Sequence, residues 1–286
     1  VGPSRELLHV LPMVGIGGVG KTTLAQSVYN EKSVKNFFDL TAWVCVSDKW
    51  DLRRLMVEII ESAKIKTPPG FHYLRSLDRI RQILKDGLMG KRFLLVLDDV
   101  WNEEPDKWEK LRSALESGDD GSKVIVTTRN HEIADMMGTK KAISLGGLAD
   151  KEYWQYFVHC AFGGARPENH PSLIFFAEKI VKKLGCLPLA AKVIGGVLKS
   201  SLKEQHWKEI LESKWWQVDR SKDQIMPVLR LSYDYLPAHL KQCFVYCSLF
   251  PKDHHFSRKK LVQLWMAQGY IQDNEENTME NIGDAY

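Results

Sequence analysis

The amino-acid sequence predicts an α/β fold: a parallel sheet with helices on both faces, followed by a region that is almost wholly helical. Three observations carry this. Short runs that are apolar at nearly every position alternate with helical stripes up to about residue 145, the pattern of strands buried on both faces. A glycine-rich turn, "GIGGVGKTT", links the first apolar run to the first helical stretch. Beyond Leu145 strand-like runs fade and stripes of helical period take over.

Taken in order, Leu8 to Val14 is the apolar run before the glycines, and Thr22 to Asn30 reads as a helix. Pro12 sits within that run, where a central strand would lose a ladder hydrogen bond, so either pairing there is one-sided or the strand ends early. "LTAWVCVS" (Leu40 to Ser47) is β-prone. Asp51 to Lys64 aligns Leu52, Leu55, Met56, Ile59 and Ile60 on one helical stripe. "TPPG" (Thr67 to Gly70) breaks the pattern. Tyr73 to Met89 follows as a helix with Leu77, Ile80, Leu84 and Leu88 aligned. "RFLLVLDD" (Arg92 to Asp99) is a wholly apolar strand ending in two acids, "SKVIVTTR" (Ser122 to Arg129) is another strand, and "KAISL" (Lys141 to Leu145) is a short last one. Seven helices complete the chain: Asp150 to Cys160, Pro171 to Leu184, Leu187 to Lys199, Lys203 to Glu212, Gln224 to Tyr233, Ala238 to Cys247 and Ser257 to Gln268. Boundaries fall near residues 145 and 213, and the polar tail "QDNEENTMENIGD" reads as loose.

Composition narrows the class. With 286 residues, 44% hydrophobic and 27% charged, the chain has the make-up of a globular protein of one to three domains. Lys192 interrupts the longest apolar candidate, Leu187 to Leu198, so no membrane span is expected. A formal charge of +4 is too mild to mark a nucleic-acid binder. Five cysteines, an odd number mostly in apolar surroundings, read as reduced thiols of a cytoplasmic protein. The chain starts at Val1 without a signal peptide and reads as a piece of something longer.

The chemistry gathers at strand ends. Gly15, Gly20, Lys21 and Thr22 fit the spacing G-x-x-x-x-G-K-[ST] between an apolar run and a helix. There Gly15, Gly17, Gly18, Val19, Gly20, Lys21, Thr22 and Thr23 form a phosphate cradle. Glycines let backbone N–H groups wrap an anion without Cβ clashes, and the helix start adds its unpaired N–H groups. Lys21 can reach the β-phosphate of ADP or the β- and γ-phosphates of ATP, and the Thr22 hydroxyl can ligate Mg²⁺. Asp98 ends a buried strand at the sheet edge where ligands sit, and is the Mg²⁺ carboxylate, held through water or directly. Asp99 is the candidate to orient an attacking water. Arg129 ends the next strand and can read a γ-phosphate with two parallel hydrogen bonds.

Beside these elements, "GCLPLAAKVIGG" (Gly185 to Gly196), "CFVYCSLFPKDHHF" (Cys243 to Phe256) and "FDLTAWVCVSD" (Phe38 to Asp48) resemble blocks of the NB-ARC region of plant NLR disease-resistance proteins. Trp101, closing "LLVLDDVW", resembles the coiled-coil class. The resemblance spans essentially the whole chain. It implies a P-loop nucleotide-binding domain over 1–145, a helical bundle over 146–213 and a winged-helix domain, present only in part, over 214–286. It also implies that Pro188 packs near the adenine; on its residues alone, "GCLPLA" is a helix–helix turn with Pro188 in the first turn of the second helix. Finally it implies a switch between an ADP form and an ATP form that oligomerises to signal defence, with a coiled coil before and leucine-rich repeats after. The family's Met-His-Asp motif would lie beyond Tyr286, so weaker nucleotide retention than in an intact member is expected.

Other features point elsewhere only weakly. Cys243, Cys247, His254 and His255 fit no zinc spacing and lie among Phe, Tyr and Leu, as core residues do. Trp154, Trp207, Trp215, Trp216 and Trp265 read as core or interdomain anchors rather than platforms for bases. The helix starting "SRKK" could enter DNA as a reader, which keeps an ATP-dependent DNA-binding regulator as an alternative, beside a plain P-loop ATPase. Its Leu261, Val262, Leu264 and Trp265 argue for packing instead.

Overall fold

A computed structural model describes residues 8–47, 50–101, 103–217, 225–251, 254–271 and 277–286. Its contacts divide the chain into two units. The first contains five parallel strands, β1 (His9–Val14), β2 (Leu40–Ser47), β3 (Phe93–Val100), β4 (Lys123–Thr128) and β5 (Ile143–Ser144), in the order β2-β3-β4-β1-β5. Between them run α1 (Lys21–Asn30), α2 (Lys32–Phe37), α3 (Leu52–Ser62), α4 (Leu77–Leu88), α5 (Pro105–Leu115) and α6 (His131–Met137).

The strands alternate their side chains between two apolar layers. Leu95, Leu97, Val124 and Val126 join Leu55, Ile59, Ile80, Leu84, Leu111 and Ile133 in the larger layer, beneath α3 to α6. Leu94, Val96, Ile125 and Met13 face the other way, toward Ala25 and Val28 of α1. Both faces are therefore covered, which is why these strands read as continuous apolar runs.

Pro12 is accommodated by one-sided pairing. Its whole strand pairs with β4, whereas β5 pairs only with Met13 and Val14. Val10 and Val14 turn their backbone groups to the β5 side: Val10 N–H donates to the Thr139 hydroxyl at 2.9 Å, and the Val14 carbonyl accepts from Leu145 N–H at 2.8 Å. Pro12 shares their parity, so its missing N–H faces beyond the end of β5. Gly138 fits there, where a Cβ would lie 2.7 Å from the Pro12 ring.

Helix ends differ from the periodicity where a cap intervenes. The helix expected from Tyr73 starts at Leu77, because Ser76 caps it by accepting from Arg79 N–H, and Phe71–Tyr73 forms a separate 3-10 turn. Helices α5 and α6 fall in stretches where no helix was expected. Helix α5 starts with Pro105 in its first turn and buries Trp108, Leu111, Ala114 and Leu115. Helix α6 is capped by Asn130, whose side chain accepts from Glu132 N–H at 2.8 Å.

The second unit takes Lys151–Cys186 and Ala190–Tyr286, while Leu187–Leu189 belongs to the first. It is helical: α7 (Asp150–Phe162), α8 (Pro171–Val181), α9 (Pro188–Lys199), α10 (Glu204–Leu211), α11 (Met226–Asp234), α12 (Ala238–Cys247), α13 (Arg258–Ala267) and α14 (Met279–Ala285). Tyr153, Phe157, Ala177, Ile180, Ile194 and Trp207 are buried, and the Phe162 and Trp207 rings lie 5.1 Å apart. Gly195 lets α9 approach α7, since a Cβ there would sit 2.4 Å from that of Cys160. Trp207 Nε1–H donates to the Ser201 carbonyl at 3.0 Å, so its burial leaves no donor stranded.

The acidic tail is not wholly loose. Thr278 caps α14 by accepting from Asn281 N–H, and Gly283 packs where a Cβ would meet Val262 and Ile271 at 2.6 Å. Arg258, at the basic start of α13, pairs with Asp284 at 2.8 Å. The tail's first residues, 272–276, lie outside the described residues, as do Asp48, Lys252, Asp253 and the expected helix start at Gln224. Cys243 is buried, and the Cys247 thiol donates to its carbonyl one turn back. Among the described residues, no helix is long and apolar enough to cross a membrane.

Candidate functional site

The glycine loop lies between β1 and α1, at the carboxyl end of the sheet. Its shape depends on residues without side chains. Gly18 and Gly20 have φ of 79° and 104°, and Gly20 caps α1 in this left-handed conformation. At Gly18 a Cβ would also lie 2.9 Å from that of Leu189, whose N–H donates to the Gly18 carbonyl at 3.1 Å. Leu189 follows Pro188, so the short stretch Leu187–Leu189 reaches the loop through this bond. Pro188 itself is half-buried as the first residue of α9. Cys186 at φ 58° and Gly185 at φ 62° turn the chain before it. Val19 is buried beneath the loop, and Thr23 is exposed on the first turn of α1.

Lys21 folds back over the loop. Its Nζ donates to the carbonyls of Gly15 at 2.7 Å and Ile16 at 3.1 Å, and only 7% of the residue is exposed. Burial holds its pKa below the usual lysine value and the Arg129 guanidinium adds to this, against the opposing pull of Asp99 and Asp98. An ammonium so placed gains from any anion that enters the loop.

Next to Lys21, the Thr22 hydroxyl donates to Asp98 Oδ1 at 2.9 Å. A second hydroxyl, that of Thr127, donates to the same oxygen at 2.5 Å. Asp98 is 7% exposed, and these two donors fix its Oδ1.

Asp99 stands in a different backbone conformation. The β3–β4 ladder runs in register to Leu97 opposite Val126, then resumes with Val100 opposite Thr128. Asp98 and Asp99 therefore share one partner residue, Thr127, which makes a β-bulge. Asp99 takes φ 55°, unusual for a residue with a side chain, and its N–H donates to the Thr127 hydroxyl at 2.9 Å.

Arg129, just past β4, brings its guanidinium to the loop. A Cβ on Gly17 would lie 3.1 Å from Arg129 Nη1, so a larger residue there would crowd it. Arg129 Nε is 4.0 Å from Asp99 Oδ1, and its Cζ lies 5.0 Å from the Trp101 ring centre. The structure thus brings Gly15 to Thr22, Asp98, Asp99 and Arg129 to one edge of the sheet. Thr127 carries no signal in the sequence alone. It sits in a strand where threonine is common, and its role depends on which strand lies beside it.

This set of groups fits a phosphorylated ligand and a hard cation. Its glycines allow the close backbone approach that an anion needs, with two cationic side chains beside them. Thr22 and Asp98 offer oxygen donors of the kind that hold Mg²⁺.

Comparison with known proteins agrees with this chemistry. Residues 4–166 match the family described as the NB-ARC domain, and residues 249–286 match the disease resistance protein winged helix domain. Disease resistance protein RGA2 of Solanum bulbocastanum is 43% identical over 97% of this chain and 28% of its own length. Putative disease resistance RPP13-like protein 1 of Arabidopsis thaliana is 41% identical over 98% of this chain and 26% of its own. The chain therefore spans about a quarter of these relatives' length. In fold it resembles a signal transduction ATPase with numerous domains, with a tetratricopeptide repeat sensor, from Pyrococcus horikoshii. There the TM-score is 0.54 at 20% identity, over 99% of this chain and 39% of that one. With the glycine loop, the paired acids and Arg129 on one sheet edge, and these matches covering both ends, the chain belongs to the NB-ARC family of plant disease-resistance proteins.

Proposed function

We propose that this chain is the ADP/ATP-operated switch of a cytoplasmic plant immune receptor. Exchange of ADP for ATP changes the arrangement of its domains and drives self-association. The observation that carries this reading is Arg129: its guanidinium lies against Gly17 of the loop, beside where phosphates would bind, so a third phosphate would gain a contact that ADP lacks. The backbone of Gly15, Gly17, Gly18, Val19 and Gly20 wraps the β-phosphate, Lys21 leaves its two carbonyls to contact the phosphates, and Thr23 completes the first turn. Pro188 lies along the adenine side. Thr22 and Asp98 would hold Mg²⁺, and Asp99 would orient a water. The cation these residues would hold would offset phosphate charge.

Magnitudes support a switch. Moving an equilibrium from about 1:99 to 99:1 needs about 5.5 kcal/mol of differential binding. Hydrogen bonds to charged groups contribute roughly 1.5–3 kcal/mol each, so two or three γ-phosphate contacts suffice. Hydrolysis is expected to be slow. Arg129 is assigned to sensing the γ-phosphate, and an arginine finger added from outside is worth about 10³–10⁵ in rate. The 146–213 and 214–286 segments are the parts that respond. A coiled coil and leucine-rich repeats, in the rest of such a receptor, are their partners.

The test is to identify by mass spectrometry the nucleotide released from purified protein, then follow sedimentation after exchange. ADP copurifying, with faster sedimentation in ATP and Mg²⁺, is expected. Identical sedimentation in ADP and ATP would remove the switch.

A further inference from the structure

The bulge that separates Asp98 from Asp99 creates two needs. Asp98, buried, must be held with one oxygen aimed at Thr22. Asp99 N–H, out of register with β4, has lost its ladder partner. One hydroxyl meets both. Thr127 is 1% exposed, donates to Asp98 Oδ1 at 2.5 Å and accepts from Asp99 N–H at 2.9 Å. Its neighbour Thr128 does different work on the opposite side of the strand, donating to the Val100 carbonyl and accepting from Asn130 N–H. Thr128 thereby anchors the point where the ladder resumes, which leaves Thr127 as the side chain inside the bulge.

We propose that Thr127 is a positioning residue for Mg²⁺ nucleotide: its hydroxyl bridges Asp98 and Asp99 across the bulge, and fixes the cation-holding carboxylate and the water-orienting carboxylate as one unit. The role rests on the nucleotide reading above. Valine has the shape of threonine but neither donates nor accepts, so Thr127→Val frees the Asp98 carboxylate to turn and leaves Asp99 N–H unpaired. Serine keeps the hydroxyl and drops only a methyl. Residues that orient metal-binding groups typically change metal affinity by about 10–100-fold.

The experiment compares wild type, Thr127→Val and Thr127→Ser by titration with ADP in EDTA and with ATP with and without Mg²⁺, alongside hydrogen exchange at the Asp99 amide. In Thr127→Val, ADP affinity in EDTA should stay within about twofold, while the gain in ATP affinity on adding Mg²⁺ falls about tenfold and the Asp99 amide exchanges faster. Thr127→Ser should restore both. A full Mg²⁺ gain in the valine variant, equal loss in the serine variant, or equal loss of ADP affinity in EDTA would overturn the role. A wild type that binds no nucleotide fails in its own arm, and takes the underlying reading down with it.

Discussion

The two units fill their interiors differently. Among the described residues, the buried charged and polar side chains are Lys21, Asp98, Ser122, Thr127 and Thr128, all in the first unit. In the second, burial falls on Tyr153, Phe157, Phe162, Ile194 and Trp207, aromatic and aliphatic bodies, and the Trp207 Nε1–H reaches the Ser201 carbonyl. A buried polar group without a partner costs roughly 1–3 kcal/mol, so its presence needs a reason. Ser122 has a structural one: it accepts from Phe93 N–H and donates to the Asp119 carbonyl. Lys21, Asp98 and Thr127 surround the glycine loop. The contrast teaches that the first unit accepts polar burial at the strand ends around the glycine loop, whereas the second is built for packing.

The largest effect should therefore come from the second unit and touch stability alone. Trp207→Ala removes a fully buried indole and should cost about 3–5 kcal/mol, read by chemical denaturation. ADP affinity of the folded chain, measured in the cold, should change less than about twofold, since nothing is expected to alter in the loop's contacts. A loss of ADP affinity as large as the loss of stability would break the contrast.

Lys21→Ala makes the converse case. It removes the cation that both nucleotides meet and should weaken ADP and ATP alike by about 100-fold or more, on the strength of charged hydrogen bonds. Stability should hardly move, because the buried ammonium bonds only to loop carbonyls. Calorimetry with each nucleotide checks it. Arg129→Ala sharpens the picture further: ATP should weaken about tenfold more than ADP. Equal losses would show that Arg129 does not distinguish a third phosphate.

How far such a site can be read from a chain follows from how local each part is. The glycine loop, Lys21 and Thr22 lie within eight residues, and their meaning needs only the strand before and the helix after. Asp98 and Arg129 could be assigned because each ends an apolar run, and parallel strands bring such ends to one edge. Thr127 could not, because its task is set by a slip in register between β3 and β4 that neither strand records alone. Leu189 stayed hidden for the same reason, since its bond to Gly18 joins residues 171 positions apart. Helix α5 was different. Pro105 and the apolar spacing of Trp108, Leu111 and Leu115 were there to be seen, but "WNEEPDKWEK" is polar enough to pass for a loop. Helix α6 is seven residues long, too short for periodicity to register.

The smallest effect, and the one that separates Lys21 from every other group at the loop, is on pH. In the free chain burial and Arg129 make the Lys21 ammonium release its proton below the ordinary lysine range. A phosphate placed beside it favours the charged form, so the bound state holds the proton more firmly. Binding then takes up a proton in the interval between the two pKa values. Affinity for ADP should be flat near neutrality and fall as pH rises through the free-state value, by at most about tenfold per pH unit. Arg129→Ala removes a cause of the lowered pKa, so its fall should start at higher pH; Asp99→Asn removes a group that favours the ammonium, and should start it at lower pH. Lys21→Arg keeps its charge throughout and should lack this fall, even if it binds more weakly. ADP titrations between pH 7 and 10 compare the four proteins. A wild-type profile that matches the arginine variant would mean that the buried ammonium is not what grips the phosphate.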